Sequence, residues 1–198
     1  MSHGILTGQQ TDCLIMDFSK AFDKVSHNLL IHKLDQYGIK GKTNAWIKGV
    51  LSDRTQCVVI EGEKSDIMKV ESGVPQGSVL GSSLFLFYIN AMPDNITSTV
   101  MLFADDNFAY LTVSSDNNTL QEDLNKLAKW EEEWMMQFHP NKCVVLPITK
   151  KKDPLELNYN LHGHNFSKIP WSHHNIRPKV ECPYTKHLPK GKQHHMIP

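Results

Sequence analysis

Three carboxylates stand at positions suited to chemistry. Asp17 closes the short apolar run DCLIMDF, and Asp105 and Asp106 lie side by side between two further apolar stretches, residues 99–103 and 108–113. Acids gathered at strand ends around a cleft repel one another and need a counter-cation. Mg²⁺ suits them, because it takes few hard oxygen ligands from protein and fills its octahedron with water and phosphate oxygens. Two such ions can activate a 3′ hydroxyl and hold a leaving pyrophosphate during an in-line displacement. The same Asp-Asp pair also reads as an ordinary turn, since Asp bonds locally to backbone. Spacing alone leaves both readings open.

The acids need elements to hold them. Residues 12–18 have the length and Ile/Leu/Met content of a buried strand. From Ser26 a helical pattern begins, with Leu30, Ile31, Leu34 and Tyr37 on one face and Gly38 just beyond its end. A second short helix is predicted over 44–51. Residues 55–60 and 67–70 read as strands joined by a polar hairpin loop over 61–66. The stretch 73–81, GVPQGSVLG, reads as a Gly/Pro-punctuated loop, and 84–89 (LFLFYI) is apolar on every face and must be buried all round if helical. Residues 104–107 join the next two strands as a tight hairpin with both acids at its tip. A long amphipathic helix is expected over 119–138, with Asp116 as its cap, Leu120, Leu124, Leu127, Trp130 and Trp134 or Met135 on its apolar face, and Pro140 ending it. A strand over 143–148 and a hairpin within 155–166, turning at His162 and Gly163, complete the folded part. After Ser167, Pro170, Pro178, Pro183, Pro189 and Pro198 interrupt every candidate element, so 167–198 is expected to be a disordered tail.

Composition agrees with this plan. The 198 residues are 40% apolar, enough for one domain with a core and a remainder. No stretch reaches the roughly 18 apolar residues of a spanning helix, and MSHGILTGQQ lacks the apolar centre of a signal peptide. A cytoplasmic or nuclear protein, not secreted and with no membrane partner, is expected. Cys13, Cys57, Cys143 and Cys182 are too scattered for a disulfide framework or a zinc module, and the seven His from His162 onward lack zinc spacing. The net charge of zero hides an asymmetry. Residues 1–150 carry 13 Lys+Arg against 18 Asp+Glu, and residues 151–198 carry 8 against 3. An acidic metal centre in a nucleic-acid enzyme fits this, as does a folded domain followed by a basic tail.

The order of the motifs resembles the reverse transcriptase domain of non-LTR retrotransposons, most like jockey-type LINE elements. The match runs through MDFSKAFDKVSHNLLIHKLDQYGI, WIKGVLSDRTQCVVIEG, SGVPQGSVLGSSLFLFYIN, LFADD, FHPNKC and NYNLHGH, over roughly residues 5–166. Several motifs in order are far more specific than any one alone. The resemblance implies an RNA-directed DNA polymerase that uses two Mg²⁺ ions, with Mn²⁺ as a substitute, and works with an RNA template, a DNA primer and deoxynucleotides. Asp17, Asp105 and Asp106 would be the catalytic metal ligands, with the backbone carbonyl of Phe18 as a further one. Phe22 would lie under the incoming sugar and exclude a 2′ hydroxyl, where the motif-free reading is a core ring. Gln76 would contact the incoming nucleotide, and Gly73 and Gly77 would let backbone approach it. Lys142 would protonate the leaving pyrophosphate, and His162 with Gly163 would grip the primer end. Arg54 and Lys20 read as template-phosphate contacts or as solvated charges, and Trp130 and Trp134 as core rather than stacking platforms.

Departures from the family pattern accompany the match. Ser82 replaces a usual Pro, Ala91 a usual Asp, and Asn107, Phe108 and Ala109 a usual Thr-Lys-Leu. The expected fold is α+β, a polymerase palm-like antiparallel sheet backed by helices on one face, over residues 1–166, with fingers and thumb largely missing. The function implied is nucleotidyl transfer to a primer 3′ hydroxyl; the alternative is an inactive remnant that at most binds nucleic acid. Intron-type maturases share the palm, and their context fits less well. Nothing in the sequence specifies an oligomeric state.

Overall fold

The computed structural model describes residues 9–115 and 118–170. Strand β1 (Gln10–Asp17) is the central strand of a five-stranded sheet. Helix α1 (His27–Gln36) and helix α2 (Gly41–Leu51) follow it, tied together where the Asn44 amide donates to the carbonyls of Ile31 and Ile39. α1 ends as its Gly predicts. Gly38 takes φ +84°, and the Ile39 amide reaches back to the Leu34 carbonyl at 2.9 Å, closing a left-handed C-terminal cap. α2 begins three residues earlier than the apolar pattern suggested.

Residues 55–70 form two nested two-residue ladders rather than one continuous hairpin. β2 (Thr55–Gln56) pairs with β5 (Met68–Lys69), and β3 (Val59–Ile60) pairs with β4 (Glu63–Lys64). The inner pair turns through Glu61 and Gly62, both with positive φ.

Helix α3 (Val79–Ile89) starts inside the stretch expected to be loop. Ser78 explains this: its hydroxyl accepts the Gly81 amide at 2.9 Å and caps the helix. Gly81 is required there, because a Cβ would lie 2.1 Å from the Pro75 carbonyl oxygen. Ser82, in place of Pro, continues the helix and donates its hydroxyl to the Ser78 carbonyl. The helix buries Leu84, Phe85, Tyr88 and Ile89, but Val79 is 87% exposed and Leu86 37%, so it is not buried all round.

β6 (Thr99–Phe103) and β7 (Asp106–Val113) form the acid-bearing hairpin, followed by α4 (Thr119–Trp134). α4 stops four residues before the predicted end, and Pro140 is not what stops it. Met135 adopts φ +54°, and the chain turns so that 137–139 run beside β1. Ser19 donates its amide to the Gln137 carbonyl and His139 to the Asp17 carbonyl, both at 2.7 Å, and Phe18 bridges to Phe138. Asp116, the expected cap, lies outside the described residues, and Asn118 precedes the helix without a side-chain cap bond.

A 3₁₀ turn (Pro140–Lys142) leads into β8 (Val144–Ile148). Then β9 (Asn160–Leu161) and β10 (His164–Asn165) make a small hairpin at the predicted turn, His162 and Gly163, which have φ +52° and +78°. β11 (Ser167–Lys168) pairs in parallel with β8, so the sheet runs two residues beyond the boundary placed at 166. The rest of the tail, from 171 on, lies outside the described residues.

The sheet order is β11-β8-β1-β7-β6, antiparallel except for the β11–β8 pair. Register decides the faces. Leu14 pairs with Ala109 and Val145, and Met16 lies two residues further along the same face. Leu14, Met16, Ala109, Val113 and Val145 enter one cluster with Leu30, Leu34, Phe85, Tyr88, Leu120, Leu124, Leu127 and Trp130 from the helices. The helices therefore cover this face. On the other face, Ile15, Phe108 and Tyr110 are only half-buried, and Met101 and Phe103 of β6 are exposed. α1 is held to α4 by a cation: the buried Lys33 ammonium lies 3.8 Å from the centre of the Trp134 ring, and burial lowers its pKa. Among the described residues no helix is long and apolar enough to cross a membrane, and Cys57 and Cys143 are free thiols.

Candidate functional site

Asp17 is the last residue of β1 and Asp106 the first of β7, and the register sets them directly opposite each other. Asp105 precedes Asp106 at the two-residue tip formed with Ala104, which has φ +54°. Only Asp105 is thus at the tip, because the strand begins earlier than expected. Asn107 is the reason: it is fully buried, pairs with Met16 and Leu102, and donates its side-chain amide to the Asp105 carbonyl at 3.0 Å. Two carboxylates on adjacent strands, with a third next in sequence, concentrate negative charge at one sheet end.

The electrostatics register that convergence. The Asp106 carboxyl is held above the usual carboxylate range by its burial, then by the charges of Asp105 and Asp17, with Lys142 acting in the opposite direction. Lys142 projects from the 3₁₀ turn and donates to Asp17 Oδ2 at 2.6 Å. That hydrogen bond, followed by the charge of Asp17, raises the Lys142 pKa.

The donor set fits a hard divalent cation. All three groups are carboxylates, they repel one another, and they stand at an accessible sheet end, with Asp105 exposed and Asp17 and Asp106 half-buried. Among the described residues no group of three or more metal-ligating side chains forms a ready cage. Mg²⁺ is seldom held by an all-protein cage, so a partial set completed by water and phosphate oxygens is consistent with its coordination.

The expected nucleotide-side residues lie on two loops bound to one another. The Val74 amide donates to the Phe22 carbonyl and the Gly73 amide to the Val25 carbonyl, both at 2.8 Å, and the Ser72 hydroxyl donates to the Asp23 carbonyl. Gly73 has φ +86°, and a Cβ there would come within 2.8 Å of the Phe22 and Asp23 backbone, so only glycine permits this approach. Its carbonyl accepts from His27 Nε2 at 2.8 Å and from the Arg54 guanidinium at 3.2 Å. Gln76 and Gly77 are left at the exposed crest of the loop.

Phe22 is half-buried, with its ring stacked 4.6 Å from that of Phe85. Phe18 is buried, its ring stacked on Phe138 at 4.6 Å and meeting Phe85 edge-on. Trp130, 8% exposed, and Trp134 lie among these rings and Tyr88, as core positions. Lys20 is exposed.

His162 does not join the acids directly. Its Nε2 donates to Glu131 Oε2 at 2.7 Å, and Glu131 Oε1 accepts the Phe138 amide at 2.6 Å. Burial raises the Glu131 pKa, against the hydrogen bonds from Phe138 and His162, which lower it. Below this hairpin, Tyr159 and Gln10 both donate to the buried carboxylate of Asp12 at 2.8 Å, and Gln10 also exchanges bonds with the Leu155 backbone. These bonds fasten the chain leading into the hairpin to β1.

Sequence reasoning missed Glu131, His27 and the structural duty of Arg54. Glu131 sits in WEEEW, which reads as a solvated charge run. Its spacing gave a different signal, four residues after Leu127 and seven after Leu124 on the buried stripe. His27 and Arg54 carry no local signal, because their shared acceptor is 46 and 19 residues away.

Comparison with known proteins follows the same lines. Residues 3–168 match the family described as reverse transcriptase (RNA-dependent DNA polymerase). The chain is 33% identical over 148 residues to the RNA-directed DNA polymerase from mobile element jockey of Drosophila melanogaster, covering 69% of this chain and 16% of that protein. The counterpart from Drosophila funebris is 30% identical over 68% of this chain, again 16% of the relative. The chain thus spans about one sixth of the length of these relatives. Among solved structures, telomerase from Candida tropicalis with a telomeric RNA fragment matches 74% of this chain and 27% of its own at TM-score 0.55 and 14% identity. Telomerase from Candida albicans with a telomeric RNA fragment matches 83% and 30% at TM-score 0.52 and 14% identity. At such identities the likeness is one of fold, and it agrees with the α+β sheet backed by helices. Motifs, sheet and family match coincide over the same residues, and the chain belongs to the reverse transcriptase family.

Proposed function

We propose that this chain carries RNA-directed DNA polymerase chemistry: nucleotidyl transfer from a deoxynucleoside triphosphate to a primer 3′ hydroxyl on an RNA template. The observation that supports it best is the Asp17–Asp106 pairing across β1 and β7, with Asp105 beside it and Lys142 on Asp17. Asp17, Asp105 and Asp106, with the Phe18 carbonyl, would hold Mg²⁺, for which Mn²⁺ can substitute. When bound, such ions neutralise phosphate charge and lower the pKa of a primer hydroxyl.

The protein's own groups supply position and charge, which dominate phosphoryl transfer. The strand pairing fixes the spacing of two carboxylates through backbone, so reaction costs them little reorganisation. Lys142, protonated at neutral pH and bonded to Asp17, would give its proton to the leaving pyrophosphate. Phe22, anchored on Phe85 and on the Gly73 loop, is a rigid floor against which a 2′ hydroxyl would clash. Gln76 and Gly77, at the crest of that loop, face the incoming nucleotide, and His162 with Gly163 steady the primer end.

The test is Mg²⁺-dependent incorporation of labelled deoxynucleotide on an RNA template, with Asp105→Ala beside the wild-type chain. Incorporation that falls roughly a thousandfold or more in the variant, the scale of losing one member of a catalytic set, is expected. Equal incorporation by both proteins, or none by either, would leave a polymerase-derived fold that at most binds nucleic acid.

A further inference from the structure

Glu131 is 2% exposed and lies on the apolar stripe of α4, where an aliphatic side chain would pack without loss of hydration. A carboxylate there carries a desolvation cost that its partners must offset, and buried charges of this kind seldom add net stability over an apolar residue of similar shape. Its two oxygens go to two different places. Oε1 takes the amide of Phe138, whose segment runs along Asp17 to Ser19 through the Ser19–Gln137 and His139–Asp17 backbone bonds. Oε2 takes His162 Nε2, at the crest of the β9–β10 turn. One rigid carboxylate therefore spans the strand that ends in Asp17 and the hairpin tip, two parts of the chain that are otherwise separate in sequence.

We infer that Glu131 is a positioning residue, which sets the distance between the hairpin tip at His162–Gly163 and the acid-bearing end of β1. This rests on the polymerase reading above, in which the tip steadies the primer end and Asp17 the reacting metal. Glu131 touches neither substrate nor acid. It acts through Phe138 on one side and His162 on the other, so that the primer terminus and the carboxylates are held in one frame. A misplacement of about 1 Å at a reacting centre is enough to cost on the order of a hundredfold.

The test compares Glu131→Leu, which fills the same space but drops both bonds, with Glu131→Gln, which retains an acceptor for Phe138 and a partner for an unprotonated His162. For Glu131→Leu the single-turnover incorporation rate is expected to fall about tenfold, with primer–template Kd within about twofold of wild type. Glu131→Gln is expected to recover most of that rate. A merely structural role would lower the unfolding midpoint and leave the rate of the folded protein unchanged; a wild-type rate in Glu131→Leu overturns the inference. Should the Leu protein not fold, His162→Ala cuts the same tie from its exposed side and is read by amide exchange alone, since His162 is itself assigned to the primer end: protection lost about tenfold or more at Phe138 supports the tie, and unchanged protection there overturns it. A wild-type chain that incorporates nothing defeats the polymerase reading and not the tie. Amide exchange then decides: protection lost about tenfold or more at Phe138 and across 160–165 supports the tie, and unchanged protection there overturns it.

Discussion

Two hairpins in this molecule are built from similar residues and meet opposite fates. Residues 55–70 leave Val58, Val59, Ile60, Ile67 and Met68 all 56–73% exposed, in or beside ladders only two residues long. The β6–β7 hairpin, with the runs TVMLF and DNFAYLTV, forms a ladder of five pairs and is itself paired to β1 along eight. The difference is the neighbour. An isolated two-stranded ribbon has no second surface against which to bury its β-branched side chains, whereas β7 lies between two strands and over a layer of helices. Asp105 and Asp106 are on the hairpin that β1 and the helix layer hold in place, opposite Asp17 of β1, which suits a site that depends on fixed spacing.

The comparison can be broken first at the sheet. Leu14→Ala removes a fully buried side chain where β1, β7, β8 and the helices meet, and is expected to cost about 2–5 kcal/mol in urea denaturation. Gly73→Ala is next. It places a Cβ within 2.8 Å of the Asp23 backbone at φ +86°, and a loss of about 1–3 kcal/mol is expected, together with reduced incorporation as the Gln76 loop separates from the Phe22 loop.

A smaller effect, dependent on pH, is expected at Asp12, whose carboxyl is raised by burial against its bonds from Gln10 and Tyr159. The folded state holds that proton more tightly than the unfolded chain does. Its contribution is full below the unfolded value near 3.8 and is lost as pH rises through the higher folded value. Asp12→Asn should therefore show a smaller fall in urea midpoint than wild type as pH is raised through that window, and equal falls would count against it. The smallest change belongs to the exposed hairpin: Val59→Thr should shift stability by no more than about 0.5 kcal/mol. A loss as large as that of Leu14→Ala would mean that this hairpin is packed after all.

Legibility followed the range of the forces involved. The strand bearing Asp17, the turn at His162–Gly163 and the apolar face of α4 were readable because a short apolar run, turn residues and helical spacing are local signals. The end of α4 was not. No residue between Met135 and Pro140 breaks a helix by itself; the chain leaves it because Phe138 gains a bridge to Phe18 and donates its amide to Glu131. Asp106 was placed at a tip and proved to open a strand, since the buried Asn107 extends the ladder by pairing with Leu102 across the hairpin and with Met16, far away in sequence. Glu131 was hidden for a related reason: three consecutive Glu look solvated until the helix is set against the sheet.

By itself the sequence determined which residues carry charge, which stretches are apolar, and that three acids flank apolar runs in an order resembling one family. Tertiary structure alone decided that Asp17 faces Asp106, that His27 and Arg54 share the Gly73 carbonyl, and that Glu131 links the β9–β10 hairpin to the segment beside the acid-bearing strand. The physical reason is distance along the chain. Local propensity acts over a few residues, whereas all but the Glu131–Phe138 bond join groups 19 to 89 residues apart, and only the closing of the sheet against its helices brings them together.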